Sequence, residues 1–289
     1  MENKEGSKKL KAASFSIYVN IFLIILKLIV SIMTNSLAIL AELFHSLFDM
    51  LASVFAYLGI KKAEEPADKT HHFGHEKVEN ISSLAQTLLI VITSIFIIYE
   101  AIKRIYHPQK IETGYLGIIV MLITIAVDFF ISKYLHKASS DHGSVALEAD
   151  AYHFTTDLWG AISVLVGLFF VYMGFPIFDS IAAIIVALIM LYISYKLGMK
   201  AMHALTDGCP EDEIMEKISH TIKNTKGVLS FHKLRVRHAG SKLLVNMDIQ
   251  VDKKMTIKKA HDVSHRVKER LKKEIRQIKD VTIHIEPEE

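Results

Sequence analysis

Two short stretches place acids and histidines inside apolar sequence. AELFHSLFDM carries His45 and Asp49 where a lipid-facing helix would carry Leu or Val, and ADAYHFTTDLWG repeats that spacing with His153 and Asp157. Residues four apart share one face of a helix. Two such helices in contact would bring two imidazoles and two carboxylates to one point. That set of nitrogen and oxygen ligands suits a tetrahedral site for a divalent cation such as zinc.

The depth of the two pairs supports a functional role. Each pair could instead hydrogen-bond to a neighbouring helix, but ionisable groups inside a bilayer are costly and usually functional. The pairs lie three predicted spans apart, so their helices run in opposite directions, as in the inverted repeats of secondary transporters. At 1.5 Å per residue both pairs come out roughly 13 to 20 Å deep, near the midplane of a hydrocarbon core of about 30 Å. We expect the four residues to meet.

Six apolar segments are available to hold these residues. The chain has 289 residues, of which 51% are hydrophobic, and its charges crowd into residues 211–289. A bilayer is crossed by about 20 apolar residues, and such segments occur at 14–34, 37–60, 81–105, 114–135, 145–174 and 178–202. The sequence therefore predicts a polytopic α-helical membrane protein with six transmembrane helices over residues 1–205.

The basic residues of the short loops predict the orientation. Lysines precede the first span, fill the loop between the second and third spans, and follow the fourth. The positive-inside rule then places both termini in the cytoplasm, most simply in the cell (inner) membrane. Basic residues in the loop at 103–112 oppose this orientation without reversing it. The single cysteine, Cys209, excludes an internal disulfide and a cysteine-built metal site, which fits a cytosol-facing position.

Residues 206–289 are predicted to form a cytoplasmic α+β domain in the order helix, strand, strand, helix, strand (α-β-β-α-β). Residues 243–251 alternate apolar and polar side chains, which indicates a half-buried strand. Helical spacing connects five apolar residues further on: Ile257, Ala260, Val263, Val267 and Leu271. On their strands, Asp248, His284 and Glu286 lie on the polar side, away from the helix-covered core.

Two more groups of candidate metal ligands lie outside the apolar segments. The loop ADKTHHFGHEKVEN carries four, with Gly74 relaxing the backbone between them: Asp68, His71, His72 and His75. The tail carries five on separate elements: His232, Asp248, His261, His284 and Glu286. A solvated loop and ordinary surface histidines are the alternatives. A zinc-protease reading of His75 and Glu76 fails, because Glu79 stands where the second histidine is needed.

Four stretches together form a highly specific pattern: NSLAILAELFHSLFDMLAS, ADKTHHFGHEK, ALEADAYHFTTDLWGAISVLVG, and HKLRVRHAG with DVTIHIEP. With them the chain resembles the cation diffusion facilitator family, proton-coupled exporters of zinc and related divalent metals, over essentially its whole length. The resemblance implies a homodimer with a transport site of His45, Asp49, His153 and Asp157. It also implies a loop site of Asp68, His71 and His75, and a cytoplasmic-domain site near the dimer interface with His232, His261, His284 and Glu286.

Some positions depart from the family pattern. Family members often carry His where Asp248 stands and Asp where Glu286 stands, which affects the affinity and metal count of the tail site. Lys77 and Asp207 match positions that pair near the membrane surface and hold the two halves of the dimer together. His45 stands where related bacterial members often have Asp, and two imidazoles favour zinc over manganese. The resemblance is therefore to the zinc-transporting branch.

The sequence predicts a metal/proton antiporter that works by alternating access and is not an enzyme. Imidazole titrates near pH 6.5, and ligands must lose protons to bind metal, so His45 and His153 could couple the two fluxes. No phosphate-binding loop of the GxxxxGK[ST] kind occurs, and no nucleic acid partner is expected. Asp128 could relay protons, support the site or pack a helix, and Lys27 is read as structural or snorkelling.

Other functions remain open from the sequence. Zinc is the first choice of cargo and of regulatory metal, with Cd²⁺, Co²⁺, Fe²⁺ and Mn²⁺ as other candidates. An iron or manganese exporter of the same family is the nearest alternative. A metal-responsive membrane sensor or scaffold would bind without transport, and a passive channel would require weaker binding than four ligands give.

Overall fold

A computed structural model of the chain describes residues 2–34, 37–106, 115–173 and 177–288. Within these ranges some helical side chains are not described, namely those of residues 2–5, 30–31, 33–34, 37–45, 48, 115–117, 163–172, 178–179 and 182. The chain folds into two compact units, Met1–Ala201 and Met202–Glu289.

Long helices build the first unit. Those in the described residues are α1 (Glu2–Thr34), α2 (Leu37–Ala63), α3 (Lys77–Tyr106), α4 (Tyr115–His142), α5 (Val145–Tyr172) and α6 (Ile177–Leu205). Each predicted apolar segment falls on one of these helices, except for residue 173, which follows α5, and residues 114 and 174, which lie outside the described residues. Among the described residues, four stretches are long and apolar enough to cross a membrane: Gly6–Ile29, Lys77–Tyr106, Ile118–His142 and Ala183–Leu205.

Small residues allow the helices of the first unit to approach closely. The buried core draws on α1, α2, α4 and α5 and comprises Ala12, Ala13, Ala56, Ile60, Ile131, Leu135, Ala146, Leu147, Ala151 and Phe154. Alanine has almost no side chain to hold backbones apart, as is common in membrane helix contacts. Large apolar residues such as Phe96, Phe130 and Tyr195 are exposed on the outside. That surface suits contact with lipid.

The second unit contains the elements that the sequence predicted, in the predicted order. They are α7 (Asp212–Lys223), β1 (Ser230–Ala239), β2 (Lys242–Val251), α8 (Ile257–Glu274) and β3 (Ile278–Pro287). The sheet order is β1-β2-β3, with β1 antiparallel and β3 parallel to β2. Helix α8 provides the crossover that a parallel pair of strands requires.

One face of the small sheet is buried and the other is open. The alternating residues of β2 are buried as predicted, and they pack with Val263, Val267 and Leu271 of α8. Ile257 is an exception, because it is 90% exposed at the first position of α8, directly after the N-cap Thr256. The helix reaches the core only from Ala260 onward, so the predicted apolar stripe was one residue too long.

A β-bulge interrupts the pairing of β1 with β2. His232 pairs with Asp248, but the next aligned pair is Arg235 with Asn246, so β1 holds one extra residue. Lys233, inside the bulge, has a φ of 50°, in the left-handed region that non-glycine residues seldom adopt. Bulges of this kind redirect side chains.

Candidate metal sites

The first cluster lies inside the helical unit and joins α2 to α5. His153 Nε2 is 3.1 Å from Asp49 Oδ1 and 3.6 Å from Asp157 Oδ2. Asp49 and His153 are buried, and one ligand atom from each of the three residues lies within 4.8 Å of the others. The spacing of four residues puts His153 and Asp157 on one face of α5, as predicted.

His45, the fourth residue predicted here, is on α2. Its side chain lies outside the described part of the structure. Its role as a ligand therefore stays a prediction. The described members already supply two carboxylates and one imidazole, a donor set that fits a divalent cation of intermediate hardness.

A buried hydrogen-bond chain fixes α2 against α5 one turn away from this cluster. Asn20 of α1 donates to Ser53 Oγ at 2.8 Å, and Ser53 donates to Asp150 Oδ1 at 2.7 Å. Ser53 follows Asp49 by four residues, and Asp150 precedes His153 by three. The chain therefore connects three helices and holds the two faces that carry the cluster in register. Sequence inspection missed this network, although Asn20 and Asp150 are polar residues within or beside apolar segments.

Two further charged side chains are buried near the cluster. Asp128 of α4 is 2% exposed, and its Oδ2 has no hydrogen-bond partner among the described residues. It interacts electrostatically with Asp157, Lys27 and Asp49. Lys27 is 5% exposed and donates to Ser46 Oγ at 2.8 Å, so the snorkelling alternative for Lys27 is wrong. Both side chains lie in the interior of the helical unit instead of reaching its surface.

The second cluster lies in the loop between α2 and α3. Asp68 Oδ2 is 3.4 Å from His75 Nε2, and Asp68 Oδ1 is 3.5 Å from His71 Nδ1. The two imidazole rings are 4.5 Å apart between centroids, and Gly74, with a φ of 92°, forms the turn between them. His75 is buried, while the other two ligands are exposed. His72 is exposed and is not part of this cluster.

Hydrogen bonds stabilise the ionised form of the Asp68 carboxylate in the loop. Thr70 Oγ1 donates to Asp68 at 2.7 Å, and the backbone NH groups of His71 and Thr70 donate at 2.6 and 2.7 Å. These bonds, led by the Thr70 hydroxyl, hold the pKa of the Asp68 carboxyl well below its usual range. A deprotonated carboxylate is the form that binds a metal ion.

The third cluster lies on the open face of the sheet. His232 Nε2 is 3.0 Å from Glu286 Oε2 and 3.7 Å from Asp248 Oδ2. Asp248 and His284 are directly paired in the parallel ladder, and His284 Nε2 is 3.7 Å from Glu286 Oε1. Four of the five residues predicted for this site therefore lie on one face, and three of them, His232, Asp248 and Glu286, bring one ligand atom each within 4.8 Å of the others. The donors again suit a divalent cation.

Lys233 also reaches this third cluster, although the sequence gave no reason to name it. Its Nζ is 2.7 Å from Asp248 Oδ2 and 3.9 Å from Glu286 Oε1. The hydrogen bond from Lys233 lowers the pKa of the Asp248 carboxyl, and the same bond raises the pKa of the lysine ammonium.

His261, the fifth predicted residue, does not join the cluster within one chain. It lies on α8, next to Ala260 of the buried core, and its ring is 4.5 Å from that of His265. Helix α8 covers the sheet face opposite to Asp248. A contribution from His261 would require a second copy of the chain and stays a prediction.

The predicted ion pair of Lys77 with Asp207 also stays a prediction. Lys77 is the first residue of α3, and Asp207 lies in the second unit. Within that unit both carboxylate oxygens of Asp207 accept from Arg237 Nη1 at 3.1 Å. Arg237 is therefore a partner that the sequence did not indicate.

A helical membrane domain with an internal acid and imidazole cluster, followed by a small metal-ligand-bearing domain, is the plan of a membrane transport protein for cations. Residues 13–206 match the cation efflux transmembrane domain, and residues 210–288 match the cytoplasmic domain of cation efflux proteins. The chain belongs to the cation efflux family, also called the cation diffusion facilitators. It is a cation efflux transporter with a C-terminal cytoplasmic domain.

Relatives match along almost the whole chain. An uncharacterized transporter of Methanocaldococcus jannaschii is 28% identical over 96% of this chain and 97% of its own length. The cation-efflux pump FieF of Shewanella oneidensis is 27% identical over 96% of this chain and 93% of its own. The magnetosome protein MamB of Magnetospirillum gryphiswaldense is 28% identical over 93% and 90%. The similarity therefore covers both the helical and the cytoplasmic domain.

Proposed function

We propose that this chain exports Zn²⁺ in exchange for protons by alternating access. The observation that carries the proposal is the buried cluster of Asp49, His153 and Asp157, in which one imidazole nitrogen faces two carboxylates at 3.1 and 3.6 Å. Ionisable groups at membrane depth are costly unless a ligand or partner satisfies them. A transport site meets that condition because metal and protons occupy it alternately.

The donor set favours zinc as cargo. With His45 as the fourth ligand, the site would hold two imidazoles and two carboxylates, a tetrahedral set that zinc accepts well. Manganese prefers a harder, oxygen-rich shell. An iron or manganese exporter is the alternative, and Cd²⁺ and Co²⁺ are expected to substitute for zinc in experiments.

Proton coupling follows from the contacts of His153. The 3.1 Å contact of His153 Nε2 with Asp49 Oδ1 is a hydrogen bond only when one of the two groups carries a proton, and a metal ion bound there must replace that proton. We infer that protons entering from the outer side occupy the ligands after the metal leaves. The carrier then returns to the inner side with the protons bound.

The architecture completes the proposal. All six helices of residues 1–205 would cross the cell (inner) membrane, with both termini in the cytoplasm and lipid around them. Residues 206–289 would form the cytoplasmic domain of a homodimer, in which Lys77 and Asp207 pair near the membrane surface. The loop cluster and the domain cluster, with His261, would bind regulatory zinc. We propose no enzymatic activity and no nucleic acid partner.

A metal-responsive sensor or scaffold is the competing function, and zinc flux separates the two. We would reconstitute the protein in liposomes, impose a pH gradient, and compare the native chain with Asp49→Ala and Asp157→Ala. Asp141→Ala is the matched control, because Asp141 is an exposed acid at the end of α4. Flux that follows the gradient and disappears in both site variants supports the antiporter. Zinc binding without flux under any gradient would favour the sensor.

A further inference from the structure

Two neighbouring residues of β1 direct their side chains to the same carboxylates. His232 Nε2 is 3.7 Å and Lys233 Nζ is 2.7 Å from the same oxygen, Asp248 Oδ2. Successive residues of a regular strand point to opposite faces of the sheet. The bulge after His232, with a φ of 50° at Lys233, removes that alternation and brings the ammonium to the open face.

The backbone conformation of Lys233 has an energetic cost. The left-handed region is unfavourable for an L-residue other than glycine, and lysine lacks the short polar side chain that lets Asn or Asp adopt it. Glycine or asparagine would be less strained than lysine at this position of the bulge. A lysine in this conformation is most simply explained by what its ammonium contacts.

The Lys233 ammonium lies close to two of the carboxylates that would bind a cation. Lys233 Nζ contacts Asp248 at 2.7 Å and lies 3.9 Å from Glu286, and His232 lies between the same two carboxylates. Two carboxylates carry a charge of −2, and the ammonium reduces this to −1. A divalent cation therefore meets a weaker attraction, and it must also separate an existing ion pair.

The space beside Lys233 can accept its side chain when a cation binds to the cluster. Its side chain is 61% exposed, and a cleft of about 240 Å³ beside it is lined by Arg235, Asn246 and His284, among others. Movement of the side chain into water requires no change in the sheet. The displaced ammonium is solvated, so displacement is inexpensive but not free.

We propose that Lys233 is a tethered competitor of the metal at the cytoplasmic-domain cluster. Its ammonium balances Asp248 and Glu286 when free metal is scarce, and a divalent cation loads the cluster by displacing it. The lysine thus sets the free-metal concentration at which the domain responds. The inference rests on the proposed function of this cluster as a regulatory zinc site.

The test uses the full-length protein in detergent, with Zn²⁺ as the probe. Protection of His232 from an imidazole-acylating reagent, measured by peptide mass spectrometry, reports occupation of this cluster separately from the other two. In Lys233→Gln the zinc concentration for half-protection should fall about three- to tenfold, because one nearby positive charge and one exposed ion pair are removed. Lys233→Arg keeps the charge and should stay within about twofold of the native chain.

A second readout follows the lysine itself. An amine held against two carboxylates should react slowly with an amine-acylating reagent, and zinc should raise the labelling rate of Lys233 at least about threefold. Lys253, which is exposed on the loop before α8, is the internal control and should not respond.

The two experiments distinguish a failure of the proposed role of Lys233 from a failure of the proposed regulatory site. Zinc protection of His232 that is equally sensitive in the native and Lys233→Gln chains, with unchanged labelling of Lys233, overturns the competitor and leaves the regulatory site intact. Absence of zinc protection at His232 in every chain overturns both.

Discussion

The cluster of Asp49, His153 and Asp157, here called the membrane cluster, and the cluster of His232, Asp248 and Glu286 in the cytoplasmic domain share one arrangement in two different environments. In the transmembrane domain, His153 lies 3.1 and 3.6 Å from two carboxylates, and in the cytoplasmic domain, His232 lies 3.0 and 3.7 Å from two carboxylates. Asp49 and His153 of the first cluster are buried and Asp157 is half-buried, whereas the second cluster lies on an open sheet face next to Lys233. A similar ligand geometry therefore occurs once in a mostly buried position and once on a surface that is open to solvent.

The surroundings decide what each cluster can do. Charges in a low-dielectric interior interact strongly, and leaving them unpaired is expensive, so the buried cluster must always hold a cation or protons. The exposed cluster can stay empty of metal because water and Lys233 balance its charge. Under the proposed function, the first arrangement suits obligatory exchange and the second suits a graded response to metal concentration.

The two clusters should differ first in their effect on metal selectivity. His153→Asp would convert the described part of the membrane cluster to oxygen ligands, and we expect the preference for zinc over manganese in transport to fall roughly tenfold to a hundredfold. The same change at His232 should leave transport selectivity unaltered. Competition of the two ions in liposome uptake measures this ratio. An equal loss of selectivity in both variants would contradict separate roles for the clusters.

The next effect compares a buried lysine–acid pair with an exposed one. Lys9 is 3% exposed and lies 3.5 Å from Glu79 Oε2, and Glu79 also accepts from Ser144 at the start of α5. Glu79→Gln should destabilise the helical domain by about 3–5 kcal/mol, because it leaves a buried ammonium without its closest counter-charge.

The comparison for that variant is Asp248→Asn, which removes the half-buried partner of the exposed Lys233. It should leave the unfolding midpoint unchanged. Thermal unfolding in detergent measures both variants. Equal midpoints in Glu79→Gln and the native chain would contradict the assigned burial of this pair.

A smaller effect is expected from the hydrogen-bond chain beside the membrane cluster. Ser53→Ala removes the bonds to Asn20 and Asp150 and should cost about 1–3 kcal/mol, because buried polar groups lose their partners. Ser94→Ala is matched in burial, but Ser94 bonds only to Ile90 O of its own helix among the described contacts. Its unfolding midpoint should change less. A larger loss in Ser94→Ala would remove the special role of the chain.

The smallest effect concerns the pH dependence of the loop cluster. Because the folded pKa of Asp68 is depressed, its contribution to loop stability is fully present above the unfolded pKa of about 4 and is lost as the pH falls toward the folded value. An acid-stable protease should therefore cut the loop at residues 64–76 more readily below about pH 4. Asp68→Asn should be cut readily at every pH, and a pH-dependent protection in that variant would contradict the assignment.

Regular periodicities made much of this molecule predictable. The four-residue spacing placed His153 and Asp157 on one face of α5, and the repeat of that spacing identified Asp49 as their partner across 104 residues. Alternation along β2 predicted both its buried face and the polar face that carries Asp248. In each case one helix or strand period fixed the direction of the side chain.

The contacts that the sequence did not predict depend on local breaks in those periods or on distant packing. Lys233 follows His232 and would point to the other face in a regular strand, so only the bulge explains its contact with Asp248. Lys27 could have reached the membrane surface, but packing of α1 against α2 holds it on Ser46. Arg237 reaches Asp207 across 30 residues, which no local pattern encodes.

The most direct test of the account is zinc flux in liposomes under an imposed pH gradient, with Asp157→Asn and Asp248→Asn measured side by side. Asp157→Asn should lower the flux at least about a hundredfold, since it removes a direct ligand, and even residues that only orient the ligands change metal affinity or activity about 10–100-fold. Asp248→Asn should keep the maximal rate within about threefold and shift only the zinc concentration at which the transporter responds. Loss of flux in Asp248→Asn with normal flux in Asp157→Asn would contradict the account.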